Sequence, residues 1–232
     1  ARTLRLLKLK TTEYTICPTC SLAKGTIKKG KVSLKEYTQP LQMVQADLCG
    51  GFRYQEFQSN KYFLTIRDAY SRYYSVIYLK SKADASIKFM EWINKTEQYF
   101  SSRGGFKVGS VRTDNGTEFV NKNLHAFFKS KGIEHQLAIP YHSYQNGAVE
   151  RAHRIIEERT RCLLIGGRVP PSLWSEAVSC AVYLINRPRV VSKNNSIPYC
   201  LWFNIPAKDF GIAHLRIFGC TAYANLQATL RD

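Results

Sequence analysis

The chain has 232 residues and a formal net charge of +17, because 34 lysines and arginines stand against 17 aspartates and glutamates. Its apolar fraction of 44% is enough for a buried core and excludes a chain that is disordered throughout. No apolar run is long enough to cross a bilayer and the basic start lacks a secretion signal, so a membrane or secreted protein is disfavoured. The basic excess favours a polyanionic partner, above all nucleic acid, over a charge that serves solubility alone.

The seven cysteines do not form a disulfide framework, because their number is odd and their spacing irregular. Cys17 and Cys20 form a Cys-x-x-Cys pair, which can turn two thiolates toward one zinc ion. Zinc needs two more ligands, which either precede Ala1 or come from another segment. The alternative is that the two cysteines form a turn that binds no metal. We therefore expect the chain to be a fragment of a larger protein. Five cysteines stand singly in apolar surroundings and are predicted to be small buried residues: Cys49, Cys162, Cys180, Cys200 and Cys220.

Strands and helices are predicted in the order β-β-β-α-β-α-β-α-α. β-Branched and aromatic residues predict a meander of three strands at 41–48, 62–67 and 73–79. Ser81 then caps a helix that ends at Gly104, with Asp84 three residues after the cap and an apolar side that includes Ile87. Two further strands are predicted at 108–112 and 133–139, and three further helices at 118–131, about 145–164 and 172–186. This order implies a mixed sheet flanked by helices and matches the ribonuclease-H-like architecture.

Three acidic residues are predicted to meet at one end of this sheet. Asp47 ends the first strand, Asp114 follows the fourth, and Glu150 lies near the start of the long helix, with 35 residues between it and Asp114. Adjacent carboxylates repel one another, and Mg²⁺ or Mn²⁺ relieves the repulsion because both ions prefer carboxylate oxygens. Two such ions about 4 Å apart clamp a phosphoryl displacement. The three acids therefore predict a metal-dependent phosphoryl-transfer site.

Each acid taken singly also has an ordinary structural explanation. Asp114 before Asn115 and Gly116 fits a strand-to-helix turn, and Glu150 fits a solvated first-turn carboxylate favoured by the helix dipole. Asp47 has the least evident turn role, because it lies within an apolar run. Only the three acids together, each at its place in this order of strands and helices, favour an active site.

The segments around these acids resemble a known family. TDNGTEF, the 35-residue interval and PYHSYQNGAVERAHR are similar to the catalytic core of retroviral-type integrases, the Asp, Asp-35-Glu class. The integrases of copia-type LTR retrotransposons resemble the chain further, in the segments CPTCSLAKG, DAYSRYYSVIYLKSKADA, RCLL, PPSLWSEAVSCAVYLINR and HLRIFGCTAYA. The resemblance covers essentially the whole chain.

The resemblance implies a ribonuclease-H-like fold with a mixed five-stranded sheet and a metal-dependent polynucleotidyl transferase. Such enzymes trim the 3′ ends of the element's DNA with water, and then use the new 3′-hydroxyl to attack target DNA. Carried over by motif, the catalytic ligands of Mg²⁺ or Mn²⁺ are Asp47, Asp114 and Glu150. The DNA-binding residues that it implies are Asn115 beside the second acid, Tyr141, Gln145 and Asn146 before the glutamate helix, and Arg151 and Arg154 on that helix.

Three residues near these motifs have a different interpretation. For the two arginines a solvated helix face is the alternative, because Glu157 and Glu158 stand where relatives often carry another basic residue. Asp68, in the turn DAYSR, is interpreted as a hairpin turn residue and not as a metal ligand.

The resemblance also divides the chain into parts. Residues 1–40 correspond to the remnant of an N-terminal zinc-binding module with a basic linker, 41–190 to the catalytic core, and 191–232 to a C-terminal extension of that core. The family's module has a His-His-Cys-Cys ligand set. Zn²⁺ binding by Cys17 and Cys20 is therefore expected only with the two histidines that would precede Ala1.

The partners that the resemblance implies are the element's DNA ends, target DNA or chromatin, further copies of the chain in a multimer, and a host tethering protein. The expected location is the nucleus, preceded by cytoplasmic virus-like particles, and no membrane is involved. Two other interpretations stay open: a ribonuclease-H-like or Holliday-type nuclease of the same fold, and a domesticated or inactive descendant that binds DNA or chromatin without chemistry. The intact set of three acids argues against the second.

Overall fold

The computed structural model describes residues 36–54, 56–137, 143–187, 196–207 and 210–223, and residues 143–150 by their helix backbone alone. A five-stranded sheet in the order β3-β2-β1-β4-β5 forms its centre. β1, β2 and β3 pair in antiparallel fashion, whereas β4 pairs in parallel with both β1 and β5. The strands are β1 Met43–Gly50, β2 Tyr62–Asp68, β3 Tyr74–Leu79, β4 Ser110–Thr113 and β5 Glu134–Leu137. The mixed five-stranded sheet predicted from the sequence is confirmed.

Helices cover both faces of this sheet. Single 3₁₀ turns at Lys82–Asp84 and Pro171–Leu173 lead into the first and fourth of them. None of the helices in the described part of the chain is both long and apolar enough to cross a bilayer. The helices are α1 Ala85–Ser101, α2 Lys122–Lys131, α3 Ser143–Gly166, α4 Trp174–Asn186 and α5 Pro198–Phe203.

Two apolar clusters lie on opposite faces of the sheet, because successive side chains of a strand point to opposite sides. On one face, Val44 of β1 belongs to a buried cluster with Phe89 of α1. On the other face, Phe63 of β2 packs with Ile156 of α3 and Trp174 of α4. Side chains at the odd-numbered positions of β1 consequently point toward α3 and α4.

The start of α1 follows the sequence prediction except at one apolar position. The Ser81 hydroxyl accepts a hydrogen bond from Ala83 N at 3.2 Å, and Asp84 accepts one from Ser81 N at 3.2 Å, so the predicted capping box is present. Ile87, predicted on the apolar side, is instead exposed. It precedes the buried Phe89 by two residues, which is about 200° around a helix, so both side chains cannot face the core.

α2 is shorter than predicted. The helix begins at Lys122 and not at 118, because Asn121 is the N-cap and accepts a hydrogen bond from Leu124 N at 2.9 Å. The preceding residues form a separate turn in which Gly116 O accepts from Phe119 N. Phe119 is therefore buried from a turn and not from a helix face.

One of the five single cysteines contradicts the prediction of burial. Cys220 is exposed, because residues 215–223 form no helix or strand and lie on the surface. Cys200 is buried as predicted, and the remaining three are half-buried: Cys49, Cys162 and Cys180.

Two buried side chains fasten the meander. Asp68 accepts hydrogen bonds from Leu41 N at 2.9 Å and from the Ser71 N and hydroxyl at 2.7 and 2.6 Å, so it is the turn residue that the sequence predicts. Asn186, at the end of α4, accepts from Tyr74 N and donates to Tyr74 O, both at 2.8 Å. The amide of Asn186 thus occupies both main-chain groups of the first residue of β3.

A buried carboxylate holds the loop that joins β1 to β2. Glu56 accepts hydrogen bonds from Gln58 N at 2.9 Å, from Asn60 N and Nδ2 at 3.1 Å each, and from the Ser175 hydroxyl of α4 at 3.1 Å. Its carbonyl accepts from Ser59 N at 2.9 Å, which closes a β-turn. Burial acts to raise the pKa of Glu56, but these hydrogen bonds outweigh it and lower the pKa below its ordinary value of 4.5.

Replacing Glu56 with Gln should lower the free energy of unfolding at neutral pH by about 1–2 kcal/mol, because a buried amide cannot accept all these hydrogen bonds. The folded-state pKa of the carboxyl lies below its ordinary value. The carboxylate therefore contributes stability above the ordinary pKa, and this is lost as the pH falls through the folded-state value. Urea unfolding of both proteins at several pH values should show the difference shrinking in acid. Glu91→Gln, at an exposed carboxylate of α1, is the control and should change little. A difference that grows in acid would contradict the assignment.

Candidate active site

Asp47 on β1 and Asp114, the residue after β4, lie at the same level of two neighbouring parallel strands. β1 and β4 pair with Met43 opposite Ser110 and Gln45 opposite Arg112, a constant offset of 110 − 43 = 67 positions. The same offset carried two residues further places Asp114 opposite Asp47 (47 + 67 = 114). Each acid is two residues beyond the pairing of Gln45 with Arg112, so both side chains lie on the same face as that pair, the face that α3 and α4 cover.

α3 runs along β1 over this face. His153 Nδ1 lies 3.2 Å from Asp47 Oδ2, and the Cys49 thiol donates to Glu157 Oε1 at 3.3 Å. Two strand residues span about 6.6 Å and four helix residues about 6 Å. The spacing of the two contacts is therefore nearly equal along the strand and along the helix, and α3 runs in the same direction as β1.

Glu150 lies on α3 three residues before His153. This separation is a rise of about 4.5 Å and places both residues on one face of the helix. The helix backbone at Glu150 is thus less than one turn from the contact between His153 and Asp47. The Glu150 side chain lies outside the described residues.

Burial controls the ionisation of the neutral groups at this site. Burial lowers the pKa of His153, and the charges of Glu157 and Asp114 together with a hydrogen bond to the Asp47 main chain oppose that shift without cancelling it. Burial also raises the pKa of the Cys49 thiol far above its ordinary range, and Glu157 and Asp47 add to the effect. At neutral pH the imidazole is uncharged and the thiol is protonated, so the carboxylates supply the charge of the site.

The turn after β4 fixes the second aspartate. Asp114 Oδ1 accepts a hydrogen bond from Gly116 N at 3.1 Å, and the Thr113 hydroxyl donates to the Asp114 carbonyl at 2.9 Å. The same hydroxyl lies 2.9 Å from His135 Nε2 on β5. Asn115 occupies the turn between these contacts, beside the second acid as predicted.

The predicted DNA contacts on α3 lie on its exposed side. Arg151 and Arg154 are exposed, and Arg154 Nε lies 3.8 Å from Glu158 Oε1, a surface pair that contributes little to stability. Glu157 differs from the expectation that it occupies the arginine face, because its carboxylate contacts Cys49 of β1. Of the two acids that weakened the prediction of DNA binding by this face, Glu157 therefore points toward the sheet.

Several predicted site residues cannot be placed. Tyr141 lies outside the described residues, and Gln145 and Asn146 are described by their helix backbone alone. Cys17 and Cys20 also lie outside the described part of the chain, so the zinc prediction stays a prediction.

The donor set at this end of the sheet fits a hard divalent cation. Asp47 and Asp114 offer carboxylate oxygens of the kind that Mg²⁺ and Mn²⁺ prefer. Among the side chains that the structure describes, which exclude that of Glu150, no group of three His, Cys, Asp or Glu residues is placed to hold a metal ion. Glu150 as the third carboxylate stays a prediction.

His153 is the site residue that the sequence prediction missed. Its one signal in the sequence is its spacing, three residues after Glu150 and hence on the same helix face. A histidine on a helix face has no evident partner until the helix is placed over β1. The structure supplies that partner in Asp47.

Comparison with known sequences finds a family model that matches part of the chain and two similar polyproteins. Residues 37–143 match the family described as Integrase core domain. The chain is 33% identical over 210 residues to the Retrovirus-related Pol polyprotein from transposon TNT 1-94 of Nicotiana tabacum, covering 90% of this chain and 15% of the polyprotein. It is 30% identical over 212 residues to that from transposon RE1 of Arabidopsis thaliana, covering 91% of this chain and 14% of the polyprotein. The chain thus spans about one seventh of the length of these relatives.

Comparison with solved structures agrees with the fold. A simian T-cell lymphotropic virus intasome in complex with PP2A regulatory subunit B56 gamma matches with a TM-score of 0.58 at 18% identity, over 91% of this chain and 69% of that chain. The HTLV-2 integrase catalytic core domain in complex with magnesium, in its trimeric form, matches with a TM-score of 0.51 at 21% identity, over 70% of this chain and 97% of that chain. The ribonuclease-H-like fold predicted from the sequence is confirmed.

Replacing His153 with Leu should lower the free energy of unfolding in metal-free buffer by about 1–3 kcal/mol, because the partly buried Asp47 carboxylate loses its polar contact with Nδ1. His153→Asn should lose clearly less, since the Asn amide nitrogen and imidazole Nδ1 are both two bonds from Cβ. Urea unfolding of the three proteins measures the difference. Equal losses in both variants would show that packing of the ring, and not its contact with Asp47, stabilises the fold.

Proposed function

From the premise that the chain carries a retroviral-type integrase catalytic core, we propose that it is the DNA-joining core of a copia-type retrotransposon integrase. The chain trims the 3′ ends of element DNA and joins them to target DNA in the presence of Mg²⁺ or Mn²⁺. The observation that carries this proposal is the placement of Asp47 and Asp114 at one level of β1 and β4, under the helix that carries Glu150.

Three carboxylates would hold the metal ions in this proposal: Asp47, Asp114 and Glu150. When bound, two such ions supply the positive charge that activates an attacking oxygen and stabilises a leaving oxygen. The strand β1 and the turn after β4 fix the two aspartates before any ion arrives. This preorganisation leaves little rearrangement to be made when metal and DNA bind.

His153 positions Asp47 in the same scheme. The imidazole Nδ1 lies 3.2 Å from Asp47 Oδ2, and this contact orients the carboxylate that is proposed to hold a metal ion. The ring is buried against the sheet, so it restricts rotation of the carboxylate as well as contacting it.

Basic side chains bring the DNA to these acids. Residues 41–165 contain 18 basic and 12 acidic residues, an excess of 18 − 12 = +6, although the three proposed metal ligands are among the acids. Arg151 and Arg154 lie on the exposed side of α3 and can reach a phosphate close to Glu150. Asn115 and the helix start at Gln145 and Asn146 border the same region and are proposed to contact the DNA ends.

The proposal extends to partners, for which relatives give support, and to location. The HTLV-2 core structures with magnesium are described as trimeric and dimeric forms, which supports self-association of this chain. The simian virus intasome contains a PP2A regulatory subunit, which supports a host protein partner. We propose that integration takes place in the nucleus, after assembly in cytoplasmic particles, and that Cys17 and Cys20 bind Zn²⁺ only together with two histidines from outside this sequence.

Replacing Asp114 with Asn should reduce joining of element-end DNA to target DNA by more than about 100-fold with either metal ion, because one metal-holding carboxylate is lost. Asp47→Asn should behave alike. Gel electrophoresis of labelled DNA measures strand transfer and its reversal for each variant.

Glu134→Gln is the matched control, because Glu134 is an exposed carboxylate on β5. Its activity should equal that of the unchanged chain. Hydrolysis of an RNA–DNA hybrid without joining of DNA ends would identify a ribonuclease instead. Absence of any joining or nicking, with salt-sensitive DNA binding retained, would identify an inactive DNA-binding descendant.

A further inference from the structure

The loop between β1 and β2 presents two aromatic side chains to solvent, which together we call the aromatic tip. Phe57 is 84% exposed and Tyr54 is 59% exposed. A single exposed apolar side chain is ordinary on a protein surface. Phe57, however, lies on a hydrogen-bonded turn, and both rings lie in basic surroundings at the same end of the sheet as the proposed active site.

The turn that carries Phe57 is held before any partner binds. Phe57 and Gln58 are the central residues of the β-turn from Glu56 to Ser59, and Glu56 is buried with hydrogen bonds to Asn60 and to α4. A residue whose backbone is already held loses little backbone freedom when it binds. The exposed ring is therefore suited to contact a partner and is not a frayed end.

The aromatic tip lies at the active-site end of the sheet. Gly50, Tyr62 and Leu79 pair with one another in register, so the end of β1, the start of β2 and the end of β3 form one edge. Asp47 is three residues from the end of β1, which is about 10 Å along the strand. At the base of the loop, the Phe52 ring stacks on Trp174 of α4 with centroids 4.4 Å apart. The loop therefore leans over the face to which Asp47 points.

The surroundings of the aromatic tip are basic. Four exposed cationic side chains border it or lie on the same edge of the sheet: Arg53, Lys61, Lys80 and Lys82. The one acid in residues 51–61 is Glu56, which is buried, and Asp84 nearby is engaged in the capping box. Glu176 of α4, which follows Ser175, is an exposed acid at this end of the sheet. Four exposed cations therefore stand against one exposed acid, and the positive excess complements a polyanion.

We propose that the aromatic tip stacks on an unpaired base of DNA that is bound beside the active site. Aromatic rings interleaved with cations recognise single-stranded or unstacked nucleic acid, because every base offers a π face and every nucleotide a phosphate. The inference rests on the proposed function, which brings DNA to this end of the sheet. It assigns Phe57 a contact with substrate that is separate from the metal-holding acids.

The test uses the 232-residue chain and a DNA duplex with one unpaired 2-aminopurine, whose fluorescence falls when the base stacks. The unchanged chain should quench the probe. Phe57→Ala should abolish the quenching and weaken binding of this duplex by about 5- to 150-fold, which corresponds to loss of one base–aromatic stack. Phe57→Tyr should retain both. Ile87→Ala, at an exposed apolar residue of α1 on the other side of the sheet, should match the unchanged chain.

Three outcomes overturn the inference: no quenching by the unchanged chain, equal binding by Phe57→Ala, or a change in light-scattering mass by Phe57→Ala without a change in DNA binding. The last would identify a protein contact at the aromatic tip.

Strand transfer measured in parallel separates the two proposals. Joining that is intact in a Phe57→Ala protein with unchanged binding rejects only the base contact. Quenching that depends on Phe57 without any joining by the unchanged chain rejects only the proposed function.

Discussion

The parallel pairing of β1 with β4 is the constraint on which the rest of the site depends. These strands are far apart in sequence, and their constant register brings Asp47 and Asp114 to one level on one face. A slip of one residue would turn one carboxylate into the opposite cluster around Val44 and Phe89, where an unpaired charge is strongly unfavourable. The apolar packing on that face and the two acids on the other therefore specify the same register. Stability and chemistry are encoded together in a single strand pair.

The polar contacts between α3 and β1 fix the position of the helix over the two aspartates. His153 and Glu157 touch Asp47 and Cys49 in matching steps, so the helix cannot shift along β1 without breaking both contacts. Ala152 and Ile156 bury the neighbouring side of the same helix in the cluster with Phe63. The location of Glu150 thus follows from packing further along the helix. An acid near a helix start can be placed accurately when the rest of the helix is anchored in this way.

Most of the architecture was predictable from sequence, because alternation in the strands and caps at the helices are local signals. The errors arose where a local sequence pattern was compatible with two different structures. Phe119 fits the apolar side of a longer α2, yet Asn121 caps the helix and leaves Phe119 in a turn. Cys220 resembles other buried cysteines until its segment proves to have no regular structure. His153 could not be predicted as a partner of Asp47, because that contact depends on how α3 lies over β1. The three acids were proposed by spacing and family resemblance, and two of them lie together in the structure.

The amide of Asn186 has a consequence beyond fastening α4. β3 is an outer strand of the sheet, and an outer strand offers unpaired main-chain groups to any other extended chain. Asn186 forms hydrogen bonds with both main-chain groups of Tyr74, as a neighbouring strand would, and so blocks strand pairing at the start of β3. Two copies of the chain cannot join their sheets into one continuous sheet at that position. Any contact between copies at the start of β3 must therefore be made by side chains and not by strand pairing.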